Sequence, residues 1–184
     1  MAQDAPRSPF RAYEGAQPPL PPSAETLKRL ADVVGEKYAL TAASDRAPYE
    51  HEWREHYVGK AAMVLRPGSA AEVAAILRIA NETRTAIVPQ GGNTGLVGAQ
   101  TPHETGHEVV LSLTRLDRIR DIDAAGNTLV AEAGVVLKRV QEEAARHDRL
   151  FPLSLAAEGS CTIGGVLSTN AGGVQALVYG TARD

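Results

Sequence analysis

The chain of 184 residues has one cysteine, Cys161. No internal disulfide can form, and a reducing compartment is the simpler setting. No apolar run approaches the roughly 20 residues that a membrane helix needs. The N-terminus has no apolar signal-peptide core, and Asp4 and Glu14 speak against a transit peptide. A cytoplasmic location without a transmembrane segment is therefore expected. The formal net charge is −3, so nothing suggests a surface for nucleic acid or anionic lipid. No internal repeat is visible. No lysine occurs between Lys60 and Lys138, a gap that decides between two phosphate-binding motifs below. Hydrophobic residues make up 43% of the chain, which fits a folded domain with a real core.

Residues 1–22 carry six of the eleven prolines and little apolar periodicity, and read as a Pro-rich flexible tail. Ser23 then opens a helix with Leu27, Leu30, Val33 and Val34 on one side, closed by Gly35. In the polar and aromatic stretch 41–60, Tyr49, Trp53 and Tyr57 are spaced by four and predict a helical face packed on the core. Met63-Val64-Leu65 predicts a strand stopped by Pro67. Ser69-Ala70-Ala71-Glu72 is a capping-box sequence, followed by Val73, Ile76, Leu77 and Ala80 at amphipathic spacing. With a strand over Ala86–Val88, this predicts a parallel βαβ unit. Strands follow over 109–113 and 119–122, with a hairpin turn at Asp123–Asn127 and a return strand over 129–133. Val136, Leu137, Val140 and Ala144 mark another amphipathic helix. The class is α+β.

Residues Gln90 to Gly98 read QGGNTGLVG, directly after the apolar run Ala86-Ile87-Val88-Pro89. Four of these nine are glycine and none is charged. Glycine lets the backbone come close to a ligand, and successive N–H groups can form an anion-binding concavity without lysine. A Rossmann loop needs a helix after its glycines. Here Thr101-Pro102 follows and no helical pattern starts. A P-loop needs Gly-Lys-Ser or Gly-Lys-Thr, which the lysine gap rules out. A glycine-rich structural turn is the alternative for this loop taken alone.

A second segment, Pro152-Leu153-Ser154-Leu155 leading into Glu158-Gly159-Ser160-Cys161-Thr162-Ile163-Gly164-Gly165 and closing with Asn170-Ala171-Gly172-Gly173, holds five glycines between 159 and 173. Small residues at this density let backbone pack on a large flat ligand. Thr162, Ser168, Thr169 and Asn170 offer polar groups at its edges. Two such segments point to a nucleotide cofactor.

The pair QGGNTGLVG and PLSLAAEGSCTIGGVLSTNAGG resembles the PCMH-type FAD-binding domain of the vanillyl-alcohol-oxidase superfamily. Within it, the likeness is to the FAD-linked D-2-hydroxy-acid dehydrogenases, such as D-lactate and D-2-hydroxyglutarate dehydrogenases. LRPGSAAEV and its helix fit the same domain's opening part, and the resemblance covers residues 40–184. It implies a two-subdomain PCMH-type domain, incomplete at the C-terminus, with residues 23–184 supplying the first subdomain and the start of the second. It implies that Gly91, Gly92, Asn93, Thr94 and Gly95 wrap the FAD pyrophosphate, with Leu96 close to the flavin. Pro152, Gly159, Ser160 and Thr162 then line the flavin side, and Gly164, Gly165 and Asn170 belong to a second contacting stretch. Some relatives attach FAD through a histidine directly after the first Gly-Gly pair. Asn93 stands there and offers no nucleophile, so non-covalent FAD is expected.

The implied activity of the intact protein is oxidation of a D-2-hydroxy acid to the 2-oxo acid, with a protein or quinone as electron acceptor. Another flavin oxidase, the non-redox ether-lipid synthase of the same fold, or an inert FAD-binding fragment are the alternatives. The base, the carboxylate-binding arginines and any metal site are expected in the family's C-terminal part. No catalytic residue and no metal ligand is therefore assigned, and these 184 residues alone are expected to be inactive and to bind FAD weakly or not at all.

His103-Glu104-Thr105-Gly106-His107 matches a zinc-protease pattern, which works only on a helix. Pro102, Gly106 and the strand at Val109 leave no room for one. Cys161 has no histidine near it in sequence and reads as a packed small side chain.

Overall fold

The structure, a computed structural model, describes residues 20–184. Most of the expected N-terminal tail, residues 1–19, lies outside the described residues. The chain divides into two compact units, one ending at Leu113 and one beginning at Thr114.

The first unit opens with α1 (Ala24–Val34). Ser23 Oγ accepts from the Thr26 amide at 3.1 Å, and Gly35, at φ 79°, ends the helix by donating to Ala31. A 3-10 turn, Glu36–Tyr38, leads to the short strand β1 (Ala39–Leu40). Then come α2 (Ala43–Arg46), a second 3-10 turn over Ala47–Tyr49, and β2 (Ala61–Leu65). The helix α3 (Ala70–Thr83) is capped by Ser69, whose Oγ accepts from the Glu72 amide at 3.2 Å, while Glu72 Oε2 accepts from the Gly68 amide at 2.8 Å. Of its expected stripe, Ile76 and Ala80 are buried and Leu77 is half exposed. The strands β3 (Ile87–Gln90) and β4 (Glu108–Ser112) complete the unit.

The sheet order is β1-β2-β4-β3, with β1 antiparallel to β2 and the rest parallel. The expected β2–α3–β3 crossover forms, but β4 lies between its two strands. β4 is buried along its whole length, as the run Val109-Val110-Leu111 requires of a central strand covered on both faces. On one face Leu30, Met63, Leu65, Ile76, Val109 and Leu111 pack together. On the other, Val64, Val88 and Val110 pack with Tyr49 and Leu40.

The expected helical face over 41–60 does not form. Only Tyr49 of its three aromatics packs on the sheet core, and Trp53 is 68% exposed. The reason is local. The carboxylate of Glu52, itself 0% exposed, accepts from the amides of Arg54 (3.0 Å) and His56 (2.8 Å), and Glu55 takes a left-handed φ of 57°. A side chain that captures these amides turns the chain instead of letting a helix continue.

The second unit begins with the antiparallel hairpin β5 (Ile119–Asp123) and β6 (Thr128–Ala131). Its turn is held by Asp123 Oδ1, which accepts from the amides of Ala125 (3.0 Å) and Gly126 (2.9 Å). Then come α4 (Leu137–Arg146), α5 (Ile163–Ser168) and α6 (Ala176–Tyr179). Leu137, Leu153, Cys161 and Val166 form this unit's core. The sequence carries no periodic signal for α5 or α6. Both are short, and α5 contains Gly164 and Gly165, poor helix formers.

Candidate functional site

The loop 91–98 leaves the C-terminal end of β3, where Gln90 is in register with Ser112 of β4. Carboxyl ends of parallel strands are where open α/β sheets place ligands. Among the described residues, no protein group accepts a hydrogen bond from any backbone amide between Gly91 and Gly98. Segments that lack regular structure normally spend such donors on carbonyls or water. An unbroken neutral run of eight is suited to a polyanion.

Side chains tie this loop to the protein from behind. Gln90, 2% exposed, donates through Nε2 to the carbonyls of Tyr49 and Gln100, both at 3.0 Å. Gln100 Nε2 donates to the Gly95 carbonyl at 2.9 Å. A Cβ at Gly95 would sit 2.5 Å from Gln100 Oε1. Asn93, at φ 53°, donates through Nδ2 to the His51 carbonyl at 2.8 Å and the Pro48 carbonyl at 3.4 Å. Asparagine is among the few residues that adopt this left-handed backbone readily. Arg54 Nη2 donates to the Leu96 carbonyl at the loop's apex, where Leu96 is 52% exposed and Val97 71%. The residues around 48–56 thus form a platform behind the loop. The sequence motif exposed the loop but not Gln100, Glu52 or Arg54, whose roles depend on contacts up to 42 residues away.

The second segment divides by role. Pro152 is half-buried, Gly159 and Ser160 are exposed, and Thr162 is 3% exposed. A Cβ at Gly159 would meet nothing within 4 Å, so protein packing does not demand glycine there. At Gly164 the opposite holds. A Cβ would lie 2.8 Å from Ala133 Cβ, and the Gly164 amide already donates to the Ala133 carbonyl at 2.8 Å. The polar groups expected at a ligand's edge are partly spent inside the protein. Ser168 Oγ donates to the Gly164 carbonyl at 2.7 Å, and Thr169 Oγ1 to the Gly165 carbonyl at 2.9 Å. Asn170 Oδ1 accepts from Thr181 Oγ1 (2.9 Å) and the Arg183 amide (3.1 Å).

Two buried oxygens at expected contact residues, Asn93 Oδ1 and Thr162 Oγ1, have no hydrogen-bond partner. Orphaned buried acceptors mark where a bound group or an ordered water completes a network. Within the first unit, the free amides of 91–98 and the Asn93 oxygen suit a diphosphate. Within the second, the open Gly159 and the Thr162 oxygen leave room and an unspent polar group for a ligand.

The other sequence candidates lie apart from this chemistry. Residues 103–107 form a turn before β4, with His103 Nδ1 accepting from the Thr105 amide at 3.1 Å. The Cys161 thiol is 6% exposed, and burial pushes its pKa up. The second unit also has a half-open pocket of about 460 Å³ lined by Ile122, Leu129, Val140, Phe151, Ile163 and Val166. None of the expected site residues borders it.

Residues 61–184 match the family model described as an FAD binding domain. The chain belongs to this family. The FAD-binding domain is 40% identical over 140 residues to a D-2-hydroxyglutarate–pyruvate transhydrogenase of Saccharomyces cerevisiae, a match that spans 76% of this chain and 28% of the relative. It is 44% identical over 130 residues to a probable mitochondrial D-2-hydroxyglutarate dehydrogenase of Oryza sativa subsp. indica, over 71% of this chain and 23% of that one. The chain thus spans about a quarter of the length of the curated relatives it matches. Among solved structures it resembles an alkyldihydroxyacetonephosphate synthase, with a TM-score of 0.77 at 18% identity over 91% of this chain and 33% of that one. It also resembles the 4-ethylphenol oxidase of Gulosibacter chungangensis, with a TM-score of 0.63 at 23% identity over 86% of this chain and 31% of that one. These likenesses bear out the α+β PCMH-type fold. No described helix is long and apolar enough to cross a membrane.

Proposed function

We propose that the intact protein is an FAD-dependent oxidoreductase that oxidises a D-2-hydroxy acid of the D-lactate or D-2-hydroxyglutarate class to the 2-oxo acid. The observation that carries this reading is the neutral run of free amides from Gly91 to Gly98, set in a chain whose similar relatives are named for D-2-hydroxyglutarate chemistry. Gly91, Gly92, Asn93, Thr94 and Gly95 hold the pyrophosphate through backbone N–H groups, and Leu96 lies near the flavin. Pro152, Gly159, Ser160 and Thr162 line the flavin side. Gly165 and Asn170 belong to the second stretch, where Gly164 serves chiefly to seat α5 on Ala133. FAD held there would supply a hydride acceptor for the substrate Cα, and the protein's part is position and electrostatics. A protein or quinone is the electron acceptor.

Attachment is non-covalent. The Asn93 side chain carries no nucleophile, and its amide is turned to the His51 and Pro48 carbonyls.

The test is dye reduction by protein purified from its complete reading frame. D-2-hydroxyglutarate, D-lactate and glycolate are supplied separately, with L-lactate as control. Bleaching of flavin absorbance by a D-2-hydroxy acid and not by L-lactate is expected. A colourless protein that added FAD does not restore overturns the reading.

A further inference from the structure

The FAD loop has no lysine, arginine or histidine of its own, and none of its residues lies in a helix or strand. What holds its shape is therefore a matter of side chains reaching it from elsewhere. Gln90, Asn93 and Gln100 secure its base and middle. Its apex, Leu96-Val97, is exposed and apolar, and among the described residues its tie to the rest of the unit is the hydrogen bond from Arg54 Nη2 to the Leu96 carbonyl.

Arg54 is itself fixed. Its Nε donates to Glu52 Oε2 at 3.2 Å, and its backbone amide donates to the same oxygen at 3.0 Å. Glu52 is buried, and its other oxygen is occupied by the His56 amide at 2.8 Å. The Trp53 ring lies beneath the guanidinium, 5.9 Å from centroid to Cζ. A planar fork with donors on two edges can serve a fixed carboxylate and a loop carbonyl at once, which a lysine point charge cannot. The Glu52 carboxylate offsets part of the guanidinium's charge.

We propose that Arg54 is a positioning residue for the FAD loop: anchored on the buried Glu52 carboxylate, it fixes the loop's apex through the Leu96 carbonyl and so pre-forms the row of amides. This rests on the assignment of the loop to FAD made above. It acts on cofactor affinity by lowering the ordering cost of binding, not by touching the cofactor.

The experiment measures FAD dissociation by flavin fluorescence on protein from the complete reading frame, comparing wild type, Arg54→Ala and Arg54→Lys. The thermal midpoint of each FAD-free form is read in parallel. Arg54→Ala is expected to weaken FAD binding about tenfold, the scale of one charge-assisted hydrogen bond. The FAD-free midpoint of Arg54→Ala should fall, because Arg54 is half-buried and its loss leaves the buried Glu52 carboxylate without its cation, whereas Arg54→Lys keeps that cation and should melt close to wild type. Arg54→Lys keeps the stem and the charge but not the fork, and should recover only part of the loss. If the alanine variant fails to fold, the lysine variant still carries the comparison. The weakening should be the same at about 0.05 M and about 0.5 M salt, whereas a direct contact with phosphate would be screened. Binding within twofold of wild type in Arg54→Ala overturns the proposal, and so does a loss that shrinks with salt or full rescue by lysine. A wild-type protein that takes up no FAD overturns the proposed function itself, and this inference with it.

Discussion

Asn93 Nδ2 donates a hydrogen bond to the backbone carbonyl of His51, 2.8 Å away, while Asn93 itself sits at φ 53°. Two demands thus fall on one residue. The backbone asks for a side chain that tolerates the left-handed region, and the platform asks for a short amide donor. Asparagine meets both, glycine the first only and alanine neither.

Asn93→Ala is expected to cost about 1–3 kcal/mol of stability, from the strained backbone and the unpaired His51 carbonyl, and to weaken FAD binding. Asn93→Gly keeps the backbone free and should destabilise less. Denaturant unfolding of the three proteins checks the order. In the wild type, flavin should appear in the supernatant after acid precipitation. Flavin that stays with the pellet contradicts non-covalent attachment.

Gly159 and Gly164 lie five residues apart in one motif and predict opposite outcomes. Gly164→Ala pushes a methyl to 2.8 Å from Ala133 Cβ and 3.0 Å from its carbonyl oxygen, so it should destabilise the FAD-free protein by about 1–3 kcal/mol. Gly159→Ala adds a methyl into open space, and stability should change by about 0.5 kcal/mol or less. If Gly159 lines the flavin, the same methyl should weaken FAD binding. A melting curve and an FAD titration on each variant separate a glycine needed by the fold from one needed by the cofactor. Unchanged FAD affinity in Gly159→Ala removes that residue from the flavin wall.

How far the sequence reaches is clear from where it stopped. Ser23, Gly35, Ser69 and Glu72 act within one helical turn of their own positions, and each marks the helix end it was read to mark. The strand run Val109-Val110-Leu111 is buried on both faces, as its composition requires. The QGGNTGLVG loop was legible because glycine density is a local property. Arg54 was not, because its hydrogen bond to Leu96, 42 residues away, only exists once the fold brings the partners together. The spacing of Tyr49, Trp53 and Tyr57 suggested a helix, and Glu52, hidden among polar neighbours, redirected the backbone. The pattern carried no sign that this one carboxylate would be buried.

Cys161 gives a chemical prediction. Its thiol is 6% exposed, and burial raises its pKa above the usual thiol value, with the nearby Glu158 charge adding to the effect. The thiolate is the reactive form. A disulfide reagent at pH 8 should therefore label the native protein much more slowly than the protein unfolded in guanidinium. Equal rates in the two states would show that the loop around Gly159 opens freely.

Glu132 gives the pH dependence. Its Oε1 accepts from Arg118 Nη2 at 2.9 Å and Arg120 Nη2 at 2.8 Å, and its Oε2 from the Arg118 amide at 3.1 Å. The hydrogen bonds from Arg118 and Arg120 hold its carboxyl down to about 2, against an ordinary 4.5. A carboxylate whose folded pKa lies below its unfolded value contributes stability above the unfolded pKa and loses it as pH falls toward the folded one. The contribution should thus be complete near neutrality and fade between pH 4.5 and about 2. Glu132→Gln removes that titration. The variant should melt at a lower temperature than wild type at pH 7, and the gap between the two should narrow as pH falls through this window. A gap that stays constant from pH 7 to about 2 would mean that the arginine pair stabilises the β5–β6 hairpin by packing and not by its charge on Glu132.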